Sequence, residues 1–125
     1  MHPSFLKVEF RSMNELINKK CEACRIDAPK VTDEEIPSLM SQIPLWDIIE
    51  ENNIKKLTCL FKFSDYEQSL VFTNKVATLA DEEDHHPQIT LEWGKVKVIW
   101  WSHKIQGLHQ NDFICAAKTD RLYKN

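Results

Sequence analysis

The chain has 125 residues, 42% of them hydrophobic, and a formal net charge of -3. That is enough apolar material for a single domain that buries roughly two-thirds of its unfolded surface. The acidic balance argues against nucleic acid or an anionic membrane surface as the main partner, and no apolar run approaches the ~20 residues of a transmembrane helix.

Residues 1–31 read as an N-terminal arm, of which residues 1–24 are expected to be dispensable for the fold and activity. Lys7, Glu9 and Arg11 interrupt its apolar residues, so it lacks a signal-peptide core. Phe5, Val8, Phe10, Met13, Leu16 and Ile17 make at best a loosely spaced amphipathic helix. Four cysteines, at 21, 24, 59 and 115, do not form a secreted disulfide framework in so apolar a chain, and a reduced cytoplasmic setting is expected. Cys21 and Cys24 make one CxxC, whereas a zinc ribbon needs two; the pair reads as a feature of the arm, with zinc shared between subunits as the alternative. Cys59 and Cys115 fall on apolar stripes and read as core.

The domain is expected over residues 32–125. Thr32 and Glu35 form a capping box that opens a short helix, which must start late or bend because Pro37 belongs in a first turn. "LWDIIEENNIKKLTCLFKF" reads as two strands with a turn near Glu51-Asn52-Asn53, and Leu57, Cys59, Phe61 and Phe63 share one face. "SDYEQSLVFTNKVATLADEED" is a helix with a second capping box, Ser64 and Glu67, and a core stripe of Ser69, Phe72, Val76, Leu79 and Ala80. Its acidic C-terminal end, Asp81 to Asp84, opposes the helix dipole. The run either is simply solvated or serves the histidines that follow. A C-terminal helix follows Gly107, which ends the preceding strand, and His109 stands where a cap would be expected. The order α-β-β-α-β-β-α predicts an α+β fold, a four-stranded antiparallel sheet with three helices on one face.

Three of the five histidines, 85, 86 and 103, lie within "DHHPQITLEWGKVKVIWWSH". Gly94-Lys95 is a plausible two-residue hairpin loop with glycine first, as a type II′ turn prefers. That turn pairs Trp93 with Val96, Leu91 with Val98 and Ile89 with Trp100 on an apolar face. On the other face Glu92 opposes Lys97, Thr90 opposes Ile99 and Gln88 opposes Trp101. The next rung would set His86 opposite His103, disturbed by Pro87, which cannot donate to the ladder. Three readings of this cluster compete: packed or exposed histidines without a role, a zinc site, and metal-free acid/base chemistry. Three histidines can supply zinc ligands, but adjacent ones point poorly at one ion and no helical HExxH is present. Histidine is the natural residue for proton transfer near neutral pH, and Asp81 or Asp84 could assist it.

Asp81, His85-His86-Pro87, Trp93, His103 and Asp112-Phe113 stand in the spacing of the signature of the pterin-4a-carbinolamine dehydratases. "IPLWDI", "FKFSDYEQSLVFTNKVATLA" and "GLHQNDF" also resemble that family, over about Thr32 to Tyr123, and "CEACRIDAPKVTDEE" resembles the lead-in of bacterial-type members. The resemblance implies dehydration of 4a-hydroxytetrahydropterin to quinonoid dihydropterin, in pterin recycling for aromatic amino acid hydroxylases such as phenylalanine hydroxylase, with no metal or redox cofactor. It implies that His85, His86 and His103 are catalytic. Asp81, Pro87, Trp46, Trp101 and Asp112 would then bind substrate, Asp112 as the supporting carboxylate. It further implies a homodimer or homotetramer. The alternatives on the same fold are a non-catalytic dimerisation cofactor and an assembly partner.

Overall fold

The computed structural model describes residues 16–19, 21 and 28–124. Phe5, Val8, Phe10, Met13 and Cys24 lie outside them. The elements run α1 (Ile36–Ser41), β1 (Asp47–Glu51), β2 (Ile54–Lys62), α2 (Tyr66–Glu83), β3 (Gln88–Glu92), β4 (Lys95–Trp100) and α3 (Gln110–Lys124). The strands form one antiparallel sheet in the order β1-β2-β4-β3.

Each element has a local cause. Thr32 and Glu35 make the expected reciprocal box: the Glu35 N–H donates to Thr32 Oγ1 at 3.2 Å and the Thr32 N–H to Glu35 Oε1 at 2.8 Å. α1 begins late enough that Pro37 sits in its first turn, where no intrahelical N–H is lost. Between β1 and β2, Asn52 and Asn53 adopt φ of 53° and 65°. These left-handed values suit the primed two-residue turn, whose twist matches that of the strands. α2 corrects the predicted cap by one residue. Asp65, not Ser64, is extended and accepts from the Gln68 N–H at 2.8 Å, a carboxylate at the positive end of the helix. The buried face of α2 is the expected stripe, Ser69, Phe72, Val76, Leu79 and Ala80.

α2 and α3 cover one face of the sheet, and α1 sends Leu39 and Met40 to the margin of the core. Leu57, Cys59 and Phe61 of β2 and Val96, Val98 and Trp100 of β4 meet Phe72, Val76, Phe113 and Ile114 of the helices. Each large side chain enclosed in this way contributes ~1.5–3 kcal/mol relative to exposure. The core also reaches back into the segment read as a dispensable arm. Leu16, on a helical turn at 16–18, is 1% exposed and belongs to the same cluster. The arm therefore contributes to the packing.

The β3–β4 hairpin differs from the prediction. Leu91 pairs with Val96, Ile89 with Val98, Glu92 with Lys95, Thr90 with Lys97 and Gln88 with Ile99. The loop is thus Trp93-Gly94, with glycine second at φ 75°, and the Gly94 carbonyl accepts from the Phe63 N–H at 2.8 Å. The shift is two residues along β4, so the inward and outward sets keep their faces. Every predicted rung is nonetheless displaced. Trp93 leaves the ladder and stands 69% exposed, and the recorded rungs do not set His86 against His103. β4 also ends at Trp100; Ser102 and Gly107 then bridge, enclosing a small loop that carries His103.

Candidate active site

α2 delivers the histidine pair. Asp84 takes the left-handed conformation, and the His85 N–H donates back to Ala80 O at 3.1 Å, closing the end of the helix. The two rings then part, as successive residues of an extended chain must. His85 turns inward to 4% exposure, its ring stacked on Trp100 at 5.5 Å between centroids. His86 stays exposed, and its Nε2 lies 3.1 Å from Asp81 Oδ1. Asp81 therefore does serve a histidine, while Glu83 of the same acidic run is engaged by Lys118.

Asp112 is the hub beneath the site. Fully enclosed, it holds His85 Nε2 at 2.7 Å through Oδ1, and its Oδ2 accepts from Ser102 Oγ and from the His109 N–H, each at 2.9 Å. A buried carboxylate with several donors is stabilised where an unpaired one would be costly. Asp112 also helps to cap α3. The Asn111 N–H donates to His109 Nδ1 at 3.0 Å while Asp112 accepts from the His109 N–H, an arrangement like a capping box with an imidazole in place of a hydroxyl. One residue thus couples the start of α3, the loop after β4 and the histidine that follows α2.

His103 is exposed and stacks on Trp101 at 4.2 Å between centroids. On the other strand, Lys56 is level with Trp101 if the β2–β4 register is continued one rung. Its ammonium lies 4.0 Å from the indole centroid while it pairs with Glu51 at 3.0 Å. Continuing the β3–β4 register past Gln88 brings His86 level with the same Trp101. Trp101 thus stacks on one of the exposed pair that the predicted hairpin had set face to face, and the continued register places it level with the other. Pro87 lies between the inward and outward histidines and is half-buried.

The family model described as Pterin 4 alpha carbinolamine dehydratase matches residues 29–122. The chain belongs to the pterin-4a-carbinolamine dehydratase family. Three relatives, each named "Putative pterin-4-alpha-carbinolamine dehydratase", are similar over most of their length. The protein of Photobacterium profundum is 57% identical, covering 87% of this chain and 97% of the relative. That of Nitrosococcus oceani is 53% identical, covering 90% and 100%, and that of Saccharophagus degradans 52%, covering 90% and 99%. The fold is that of a crystal structure described as a transcriptional coactivator/pterin dehydratase from Brucella melitensis. The TM-score is 0.68 at 23% identity, over 75% of this chain and 98% of that one. It is also similar to a pterin dehydratase-like protein described as a RuBisCO assembly factor in the alpha-carboxysome. There the TM-score is 0.54 at 24% identity, over 62% of this chain and 88% of that one.

Within this dehydratase fold the predicted site residues divide. His86, Asp81 and His103 are exposed, Trp101 is half-buried under His103, and His85 and Asp112 lie beneath. Trp46 does not join them. It is 2% exposed, its indole N–H donates to Asp120 Oδ1 at 2.8 Å, and its ring meets Phe61 edge-on. In this chain it is a core residue. Sequence reasoning missed Ser102, Trp100 and Lys56 as partners of the cluster, because each enters through a contact distant in sequence. His109 did carry a signal, its position at a helix start. Among the described residues, no three His, Cys, Asp or Glu side chains converge as ligands of one ion, and no helix is long and apolar enough to cross a membrane.

Proposed function

We propose that this chain is a hydro-lyase that removes water from a 4a-hydroxytetrahydropterin, giving quinonoid dihydropterin, and that it acts in pterin recycling for aromatic amino acid hydroxylation. The observation that carries this reading is the histidine set itself on this family's chain, one ring buried on a fully enclosed carboxylate and two exposed, one held by Asp81 and one stacked on Trp101. The reaction asks for two proton movements. One proton leaves a ring nitrogen and another reaches the hydroxyl departing from C4a, so that water is released and a double bond forms. His86 and His103 are the proposed acid and base, since both are exposed, and groups so placed are typically worth ~10²–10⁴-fold each. Asp81 orients His86 through Nε2. His85, expected to act directly, takes a narrower part in this proposal. Enclosed between Trp100 and Asp112, it braces the backbone that presents His86. Trp101 sets the ring of His103 in place by stacking, with the Lys56 ammonium also against its indole.

A second reading, a non-catalytic assembly partner, draws on the exposed apolar strip of α2, where Leu70 and Val71 are 41% and 48% exposed. A homo-oligomer joined through this helix would cover the same strip, so the strip suits both readings. The experiment that separates them follows chemically generated 4a-hydroxytetrahydropterin with and without the protein. Accelerated release of quinonoid product, unchanged by a chelator, supports the metal-free dehydratase. No acceleration leaves the assembly role, and a chelator loss restored by zinc would exclude metal-free chemistry.

A further inference from the structure

Cys21 lies against the last helix, near the turn that carries Asn111 and Asp112. Its Sγ is 3.4 Å from Cys115 Sγ and 3.8 Å from the Asn111 carbonyl oxygen. Its backbone N–H donates to Glu83 Oε1 at 3.0 Å, and Glu83 is gripped in turn by Lys118 at 2.6 Å. Burial pushes the Glu83 carboxyl up, but Lys118 and the Cys21 N–H more than offset this and hold it below the ordinary carboxylate range. The anchor therefore stays charged at neutral pH. Two thiols 94 positions apart in sequence are held in contact by groups other than their own sulfurs.

We propose that Cys21 and Cys115 are a dithiol that a small-molecule disulfide, such as oxidised glutathione, converts into an intrachain disulfide clasping the N-terminal segment to α3. The order of events follows from access. Cys115 is wholly enclosed, and its thiol is pushed far up by the adjacent Cys21 sulfur and by burial, so it does not react first. Cys21 is half-buried and meets the reagent. It loses its proton and attacks one sulfur of the reagent, breaking that disulfide and releasing one thiolate. Cys115 then gives up its proton and attacks the Cys21 sulfur, expelling the second thiolate. The two protein thiols are oxidised to one disulfide and the reagent is reduced to two thiols. Closing the 3.4 Å contact to the ~2.05 Å of a disulfide is a short approach, made from the Cys21 side because Cys115 is fixed within a helix. Linking positions so far apart removes freedom from the unfolded chain, so the oxidised protein is the more heat-resistant.

The test treats the full chain with oxidised glutathione, blocks the remaining thiols with N-ethylmaleimide, and maps the unreduced peptides. The expected result is one cross-linked peptide joining Cys21 to Cys115, two hydrogens lost from the intact mass, and a Tm higher by roughly 5–10 °C, all reversed by dithiothreitol. Cys59 serves as an internal control, its thiol pushed up to about 12 by burial and then by Asp120 and Asp47. Cys24→Ser should keep the cross-link, and Cys115→Ala should abolish it. A bond between Cys21 and Cys24 alone, a glutathione adduct persisting on Cys21, or bonds only between chains would each overturn the proposal. Should Cys115→Ala not fold, the peptide map of the parent chain and of Cys24→Ser decides the matter.

Discussion

Replacing Asp112 by Asn tests whether one carboxylate joins helix, loop and histidine. The carboxylate accepts at Oδ1 from His85 and at Oδ2 from Ser102 Oγ and the His109 N–H. An amide offers one acceptor and one donor in the same volume. If its oxygen keeps the Ser102 and His109 bonds, its NH₂ meets His85 Nε2, which must then move its proton to Nδ1. Loss of a charge-assisted hydrogen bond costs ~1.5–3 kcal/mol, and a forced tautomer or a weakened Ser102 bond adds to that, giving ~2–4 kcal/mol in all. Domains of this size have ~5–15 kcal/mol in hand, so the variant should fold. Urea unfolding followed by circular dichroism should show the midpoint lowered by ~1–2 M at unchanged slope, and Ser102→Ala, which removes one neutral donor, should lose only ~0.5–1.5 kcal/mol. The dehydration rate of Asp112→Asn should also fall, by ~10-fold or more, because the backbone that carries His86 loses its brace. A variant with wild-type midpoint and wild-type rate would refute both the hub and its link to the site.

His86→Ala and His103→Ala should each lower the dehydration rate ~10²-fold or more with an unchanged circular dichroism spectrum, and the double variant should lose much less than the product; fully multiplicative losses would mean that the two act independently. Leu16→Ala should destabilise by ~2–5 kcal/mol, measured by denaturant unfolding, whereas an indifferent result would restore the N-terminal segment as a mere arm. Burial raises the Asp120 carboxyl above its ordinary value, against the Trp46 bond and Lys124. A raised folded value means that this group's contribution to stability is complete below the unfolded carboxylate range and is lost as pH rises through the folded value. Asp120→Asn keeps an oxygen for the Trp46 N–H and carries no charge, so unfolding midpoints compared at about pH 4 and about pH 7 should show less decline with rising pH than in the parent chain. An equal decline would remove Asp120 as its cause.

The fold was legible because its signals are local. The Thr32–Glu35 box, the paired asparagines at 52 and 53 and the α2 stripe from Ser69 to Ala80 all act within a few residues, and each formed as its chemistry requires. The inward and outward faces of the last hairpin were also determined by the sequence, since alternation survives a shift of two residues. Its register was not. Gly94 tolerates either loop position, and the choice rests on β2, through the Leu57–Trp100 pairing and the Phe63 N–H on the Gly94 carbonyl, a partner some thirty residues earlier. The site divides along the same line. Histidines 85, 86 and 103 stood out by their grouping and Asp112 through the family resemblance, yet their division into a buried pair and an exposed pair depends on where Trp100 and Trp101 fall once four strands and three helices close. Trp46 shows the same limit, because only the packed C-terminal helix brings Asp120 to its indole and makes it core. Cys21 and Cys115 show it most plainly: sequence pairs Cys21 with Cys24, whereas contact with Cys115 exists only after the chain has closed a loop spanning most of its length.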